Sequence, residues 1–230
     1  MGEDTVALSA AAFDARYRGR LDKLATSNLS DALDKLGLRG AVVGIVPQWG
    51  RTRVIGRAVT IRMTAAGAVP TQAHLGVDAI GASERGDVIV IDNRGDLHNN
   101  CWGEILSMGA LQRGVAGVVV DGAVRDVDAC EVFGFAVHAR GTVPMTARGR
   151  IVQEAWNIPV RLGDVPVRPG DIVMADVNGV VVVAAEHLER VLAVAEEIHA
   201  KETRMVEALR AGRSIVEVDR EFNYERMLDR

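Results

Sequence analysis

Residues Val115 to Asp128 read VAGVVVDGAVRDVD. The run Val118 to Val120 is apolar and β-branched and is bounded by glycine and charge, which predicts a buried strand leading into a turn. At this length periodicity alone does not separate a strand from a buried helical piece; the β-branching decides for strand. Asp121 and Gly122 read as a strand-end turn, and Arg125 and Asp126 then stand side by side. Chemistry on α/β scaffolds is carried by loops just past buried strands, so the pair is a candidate site. An Arg–Asp ion pair closing a turn is the alternative.

Working outward, VIVID (Val88 to Asp92) predicts a second central strand that ends at Asp92 and gives way to a polar loop, NRGDLHNNCWG. Glu104 to Arg113 (EILSMGALQR) predicts a helix with Ile105, Leu106, Met108 and Leu111 toward the sheet and Gly114 as its C-cap. Strand, loop, helix and strand make a unit of the size of a right-handed βαβ crossover, whose strands are parallel. Both post-strand segments then fall on one edge of the sheet. Gly103 precedes helical amides that lack intrahelical partners, which lets an anion approach closely. A pocket there would offer amides and Arg125 to a carboxylate, and Asp126 to a metal or a proton.

The remaining chain fits one α/β domain. Leu21 to Leu36 predicts a start signal followed by an amphipathic helix, capped by Asn28 or Ser30 and ended by Gly37, and Val54 to Thr64 a strand with Gly56 at a tight approach or bulge. Gln72 to Ala82 predicts a short helix, Phe135 to Pro144 a strand and turn with His138 on its surface, and Arg148 to Trp156 a loosely alternating segment. Short strands are expected at Ile158 to Leu162 and Val165 to Val167. A hairpin turning at Asn178-Gly179 follows. Glu186 to Leu209 is the longest predicted helix, and Leu188, Val191, Leu192, Val194, Ala195, Ile198 and Met205 form its apolar stripe. The expectation is a single domain over residues 1–230, with 186–230 as a C-terminal helical extension at a subunit interface.

Composition bounds the function. The 230 residues carry a net charge of -4 and 4% aromatics, which speaks against nucleic acid as the main partner. The N-terminus reads as neither secretory signal nor anchor, and no run approaches the roughly 20 apolar residues of a spanning helix, so no membrane partner and a cytoplasmic location are expected. Cys101 and Cys130 lie in no metal-ligand spacing and read as free thiols. His98, in the loop beside Gly103, ranks above His74 as a pocket residue, although a satisfied loop histidine is the plainer reading; Trp102 reads as a packing anchor. GxGxxG and P-loop fingerprints are absent, which removes nucleotide-driven readings.

Several phrases carry a family resemblance: SNLSDALDKLG, GRAVTIRM, GDVIVIDNRGD, WGEILSMGALQRGVAGVVVDGAVRD, FAVHARG and PGDIVMADVNGVVVV. Over roughly Thr26 to Val182 the chain resembles the family that groups class II 4-hydroxy-4-methyl-2-oxoglutarate and 4-carboxy-4-hydroxy-2-oxoadipate aldolases with the regulator of ribonuclease activity A. The resemblance implies a compact α-β-β-α sandwich of the swivelling-domain type, assembled as a homo-oligomer, trimer or hexamer, with sites at subunit interfaces. It implies Mg2+ or Mn2+ as cofactor and a 2-oxo acid as substrate, cleaved to pyruvate or decarboxylated as oxaloacetate. Arg125 would bind the substrate, Asp126 the metal, and the backbone of Gly103, Glu104, Ile105 and Leu106 the pyruvyl carboxylate. Glu202 is the candidate for an acid supplied by a neighbouring subunit, with Glu197 and Glu207 as rivals. Where the family's aldolases place an acid three positions after the Asp of the pair, this chain has Ala129, between Asp128 and Glu131. The family's other branch implies a non-catalytic regulator that binds a ribonuclease or helicase.

Overall fold

The computed structural model describes residues 8–70 and 74–223. Tyr224 and the residues after it, and Gln72 at the start of the expected 72–82 helix, lie outside that set. An N-terminal helical stretch comprises α1 (Ala10–Phe13), a π-helical turn (Asp14–Arg18) and α2 (Gly19–Leu21), followed by α3 (Thr26–Lys35). Strands β1 (Ala41–Val42), β2 (Val46–Pro47) and β3 (Val54–Ala65) lead to α4 (Val77–Ala82). Next come β4 (Val88–Asn100), α5 (Glu104–Arg113), β5 (Gly117–Val124), α6 (Val127–Phe133) and β6 (Ala136–Thr142). Strands β7 (Ile151–Trp156), β8 (Val160–Leu162), β9 (Val165–Val167), β10 (Ile172–Asp176) and β11 (Gly179–Val183) precede α7 (Leu188–Arg210) and α8 (Ile215–Phe222).

The main sheet runs β1-β11-β10-β3-β4-β5-β6-β2, with β7 also on β3. Its centre, β3 to β6, is parallel. β3 is shared: residues 54–57 pair with antiparallel β10, 58–62 with β4, and 61–65 with antiparallel β7. The side chains show how this path folds into layers. Ile89 and Ile91 of β4 and Val118 and Val120 of β5 pack under α4, α5 and α6. Val88, Val90 and Val119, on the other face, meet Val173, Ala175, Val180 and Val182 of β10 and β11. The opposite face of that hairpin, Ile172, Met174, Val181 and Val183, packs on α3 and α7. Helix, sheet, sheet and helix therefore stack as the expected α-β-β-α sandwich. Strands buried on both faces carry continuous Val and Ile runs rather than an alternation. No helix among the described residues is long and apolar enough to cross a membrane.

Several local expectations hold. Gly114 takes the left-handed conformation that ends α5, as Gly212 does just after α7, and the tight approach expected at Gly56 is present: a Cβ there would stand 2.0 Å from the Gly86 carbonyl oxygen. The apolar stripe of α7 is buried, with Val194 partly so. Others are corrected. β4 does not stop at Asp92: after an excursion through left-handed Arg94 and Gly95 it resumes pairing with β5 at Asp96 and Asn100. Asp121 is no turn residue but a buried strand position, its carboxylate held by Arg140 and by the Gly163 amide at 2.7 Å. α3 starts at Thr26, because Asp176 accepts from the Thr26 amide and hydroxyl while Asn28 accepts from the Ala25 amide. The β10–β11 turn is Val177-Asn178, since Gly179 already pairs with Asp176. α5 buries Leu106, Ser107 and Ala110, leaving Ile105 77% exposed and Leu111 exposed, because its small residues allow close approach to the sheet. His138 is fully buried, not on a strand surface.

Candidate functional site

The βαβ unit β4-α5-β5 places its two post-strand segments together, as parallel pairing requires. The Arg125 amide donates to the Trp102 carbonyl at 3.0 Å, which ties the end of β5 to the residue before Gly103. Asp126 follows in the left-handed region (φ 55°), a conformation that Asp tolerates better than most residues. Its Oδ2 accepts from Arg125 Nε and from the Glu104 amide, each at 3.2 Å. The ion pair suggested by the sequence is thus present, but it is part of a larger arrangement. Gly103 is required here by contact: its backbone is extended (φ -163°), yet a Cβ would lie 2.6 Å from Asp126 Oδ2.

The next amides of α5, Ile105 and Leu106, have no side-chain cap and no earlier turn to donate to. They open, with Gly103, Glu104, Arg125 and Asp126, into a cleft of about 520 Å3. Trp102 forms part of its base, fully buried and stacked on Phe135 at 6.2 Å between ring centroids, with its indole N–H donating to Ser107 Oγ at 2.8 Å. Ser107 in turn reaches Cys130, and burial pushes the Cys101 and Cys130 thiols above their ordinary range, which argues against a nucleophilic cysteine. The arrangement offers donors to a carboxylate at one end and two carboxylates, Glu104 and Asp126, beside them.

The expected site residues divide in two groups. Gly103, Glu104, Ile105, Leu106, Arg125 and Asp126 line one cleft. Glu202 does not join them within the chain: it accepts from Asn28 Nδ2 at 2.8 Å and lines a separate polar cleft with His199 and Asp176. Asp128 and Glu131, either side of Ala129, are exposed on α6 and do not line the cleft. His74 lines it, whereas His98 is exposed outside it, so the sequence ranking of the two is reversed. The opposite wall was missed. Thr146, Arg148 and Gln153 come from the turn before β7 and from β7 itself, and Gln153 Oε1 accepts from the Gly76 amide at 2.8 Å. The only sequence signal for that wall was a polar TARGR segment between apolar runs.

Among the described residues no group of three or more His, Cys, Asp or Glu could hold a metal ion. A cation at this cleft would therefore rest on Asp126, whose side chain is 36% exposed and whose Oδ1 has no partner among the described residues. One carboxylate completed by water and ligand oxygens is a common way of holding Mg2+.

Known proteins carry the same framework. A family model described as RraA-like, Aldolase/RraA, matches residues 26–182. Protein DlpA of Legionella pneumophila is 31% identical over 87% of this chain, which spans only 32% of DlpA's length. A Halalkalibacterium halodurans protein provisionally named as a 4-hydroxy-4-methyl-2-oxoglutarate aldolase is 34% identical over 73% of this chain and 76% of its own. The solved structure of Streptomyces coelicolor RraAS2, described as an unusual member of the RNase ES inhibitor RraA protein family, superposes with a TM-score of 0.71 at 26% identity, covering 80% of this chain and 92% of that one. The matched segment runs from the first turn of α3 into β11 and contains every residue lining the cleft, so the chain belongs to the RraA-like family, which includes aldolases.

Proposed function

We propose that the protein is a divalent-metal-dependent lyase that cleaves a C–C bond beside a 2-oxo acid, by retro-aldol cleavage of a 4-hydroxy-2-oxo dicarboxylic acid or by decarboxylation of oxaloacetate, with pyruvate as product. One observation carries this reading: the uncapped amides of Ile105 and Leu106 share a cleft with the Arg125 guanidinium and the Asp126 carboxylate. Amides at a helix N-terminus and the planar fork of an arginine both suit a carboxylate. Asp126 fits a hydrated Mg2+ or Mn2+, which when bound would act as a Lewis acid toward the 2-oxo group. Arg125 and the amides orient the pyruvyl half. With Ala129 in place of the expected acid, the proton of the substrate hydroxyl falls to Glu104, the other carboxylate in the cleft, or to Glu202 of a neighbouring subunit in a trimer or hexamer. In that assembly residues 186–230 are the proposed extension at the subunit interface of a one-domain chain.

The test is pyruvate release from oxaloacetate and 4-hydroxy-4-methyl-2-oxoglutarate with Mg2+ or Mn2+. The Asp126→Ala variant is expected to lose about 100-fold or more in rate, the scale of removing a metal or charge-stabilising group. No release from either substrate, or an unchanged rate in the variant, overturns the proposal. The built cleft favours this reading over a non-catalytic regulator of a ribonuclease or helicase, for which a flat binding face would suffice.

A further inference from the structure

Helix α5 buries one hydroxyl that never reaches the cleft. Ser107 is 0% exposed and does not line the cleft, yet its Oγ meets three groups. Trp102 Nε1 donates to it at 2.8 Å, it donates to the Gly103 carbonyl at 3.1 Å, and Cys130 Sγ lies 3.2 Å away. An indole N–H only donates and a carbonyl only accepts, so the serine proton points to Gly103 and the Cys130 thiol donates to the serine. One donor and two acceptor positions are the whole capacity of a hydroxyl, and Ser107 uses them all.

Each of the three partners belongs to the backbone framework of the site. The Trp102 carbonyl accepts from the Arg125 amide at 3.0 Å, and the Cys130 amide donates to the Asp126 carbonyl at 3.1 Å. Gly103 is the residue whose missing Cβ leaves room for the Asp126 carboxylate. The contacts of that carboxylate with Arg125 Nε and the Glu104 amide are both 3.2 Å, longer than the roughly 2.7–2.9 Å of a strong charge-assisted bond. Its place is therefore set chiefly by the main chain on either side, and Ser107 joins the two sides.

The choice of residue gives a separate reason. If α5 needed only a small side chain against the sheet, alanine, as at Ala110, would favour the helix more and bury no polar group. A serine bonded back to the carbonyl four residues before it brings the helix itself no gain. We infer that Ser107 is a positioning residue: its hydroxyl fixes the α5 amides relative to Arg125 and Asp126, and so sets the affinity of the cleft for the carboxylate of its ligand. The inference rests on the reading of the cleft as a 2-oxo acid site and deepens it.

The experiment is calorimetry of oxalate with Mg2+, a planar stand-in for the carboxylate and enolate oxygen of pyruvate that reads affinity without turnover. Ser107→Ala is expected to bind oxalate about 10-fold more weakly than the unchanged chain, and kcat/KM for pyruvate release from oxaloacetate should fall by a similar factor. Ala110→Gly, on the same buried face of α5, is the control for a merely structural role: its melting temperature should fall while its oxalate affinity is kept. Cys130→Ala removes one of the three contacts and should show a smaller loss in the same direction. Should Ser107→Ala fail to fold, Cys130→Ala decides, and an unchanged affinity there overturns the inference. So does an oxalate affinity of Ser107→Ala within about twofold of the unchanged chain, or an equal loss in Ala110→Gly; both leave the lyase reading intact. Oxalate binding without pyruvate release sinks the lyase reading, and the calorimetric comparison still decides the role of Ser107. No oxalate binding by the unchanged chain overturns the inference outright.

Discussion

Gly103 and His138 show how one atom or one proton can decide a position. Gly103 has no conformational need to be glycine, yet its missing Cβ is what lets Asp126 reach the first amide of α5. Gly103→Ala is expected to displace the Asp126 carboxylate, lowering pyruvate release about 10- to 100-fold, since small misplacements of reacting groups cost that much. Steady-state assays beside a thermal melt would separate this from a loss of folding. His138 is different in kind. Neither ring nitrogen makes a hydrogen bond of ordinary geometry among the described residues, and burial depresses its pKa to about 4 against the opposing pull of the Asp176 charge and of the Thr52 and Asp176 backbone. Its ordinary value is near 6.5. Above that the imidazole is neutral in folded and unfolded chains alike. As pH falls from 6.5 toward 4 only the unfolded chain takes up the proton, so stability drops, by about 3 kcal/mol at most across the window. Urea melts at pH 7 and pH 4.5 should show this loss, and His138→Leu should remove the histidine's share of it. An identical pH dependence in the variant would assign the loss to other groups.

At the scale of elements, β3 explains the architecture, because one strand serves two antiparallel partners on one side and a parallel partner on the other. Gly56 lies just before the change of partner between Arg57 and Ala58, and the Gly86 carbonyl lies against the strand there. Gly56→Ala is expected to cost about 1–3 kcal/mol, the range for forced overpacking, and to lower the urea midpoint with an unchanged slope. A midpoint equal to that of the unchanged chain would show that the Gly86 turn yields freely. Helix α5 teaches a related point. Its sequence lists four large apolar residues, but the buried face is set by Leu106, Ser107 and Ala110, and Ile105 is left at the cleft. Hydrophobicity alone placed Leu106 correctly but put Ile105 and Leu111 inward, where small Ser107 and Ala110 let the helix approach the sheet more closely than those large side chains would.

For the whole molecule, the separation of Glu202 from Asp126 within the chain turns the proposed shared site into a measurable question. If Glu202 acts on a neighbouring subunit's cleft, mixed oligomers of Asp126→Ala and Glu202→Ala chains should regain pyruvate release that neither variant has alone. Absence of any gain after subunit exchange would leave Glu104 as the proton-carrying acid. The buried Asp121–Arg140 pair is likewise a property of the assembled chain: it links β5 and β6 to the β8–β9 turn through Gly163. The sequence by itself determined the β4-α5-β5 unit, its parallel pairing and the meeting of Gly103, Arg125 and Asp126, because those features follow from local periodicity, capping and the handedness of a short crossover. Only the tertiary structure decided that β4 and β5 run on past their apolar cores, that Asp121 and His138 are buried, and that Thr146 and Gln153 line the same cleft as Gly103, Arg125 and Asp126. Those outcomes depend on which distant segments cover each face, here β8, β9 and the β7 turn, and no local pattern in the chain encodes that coverage.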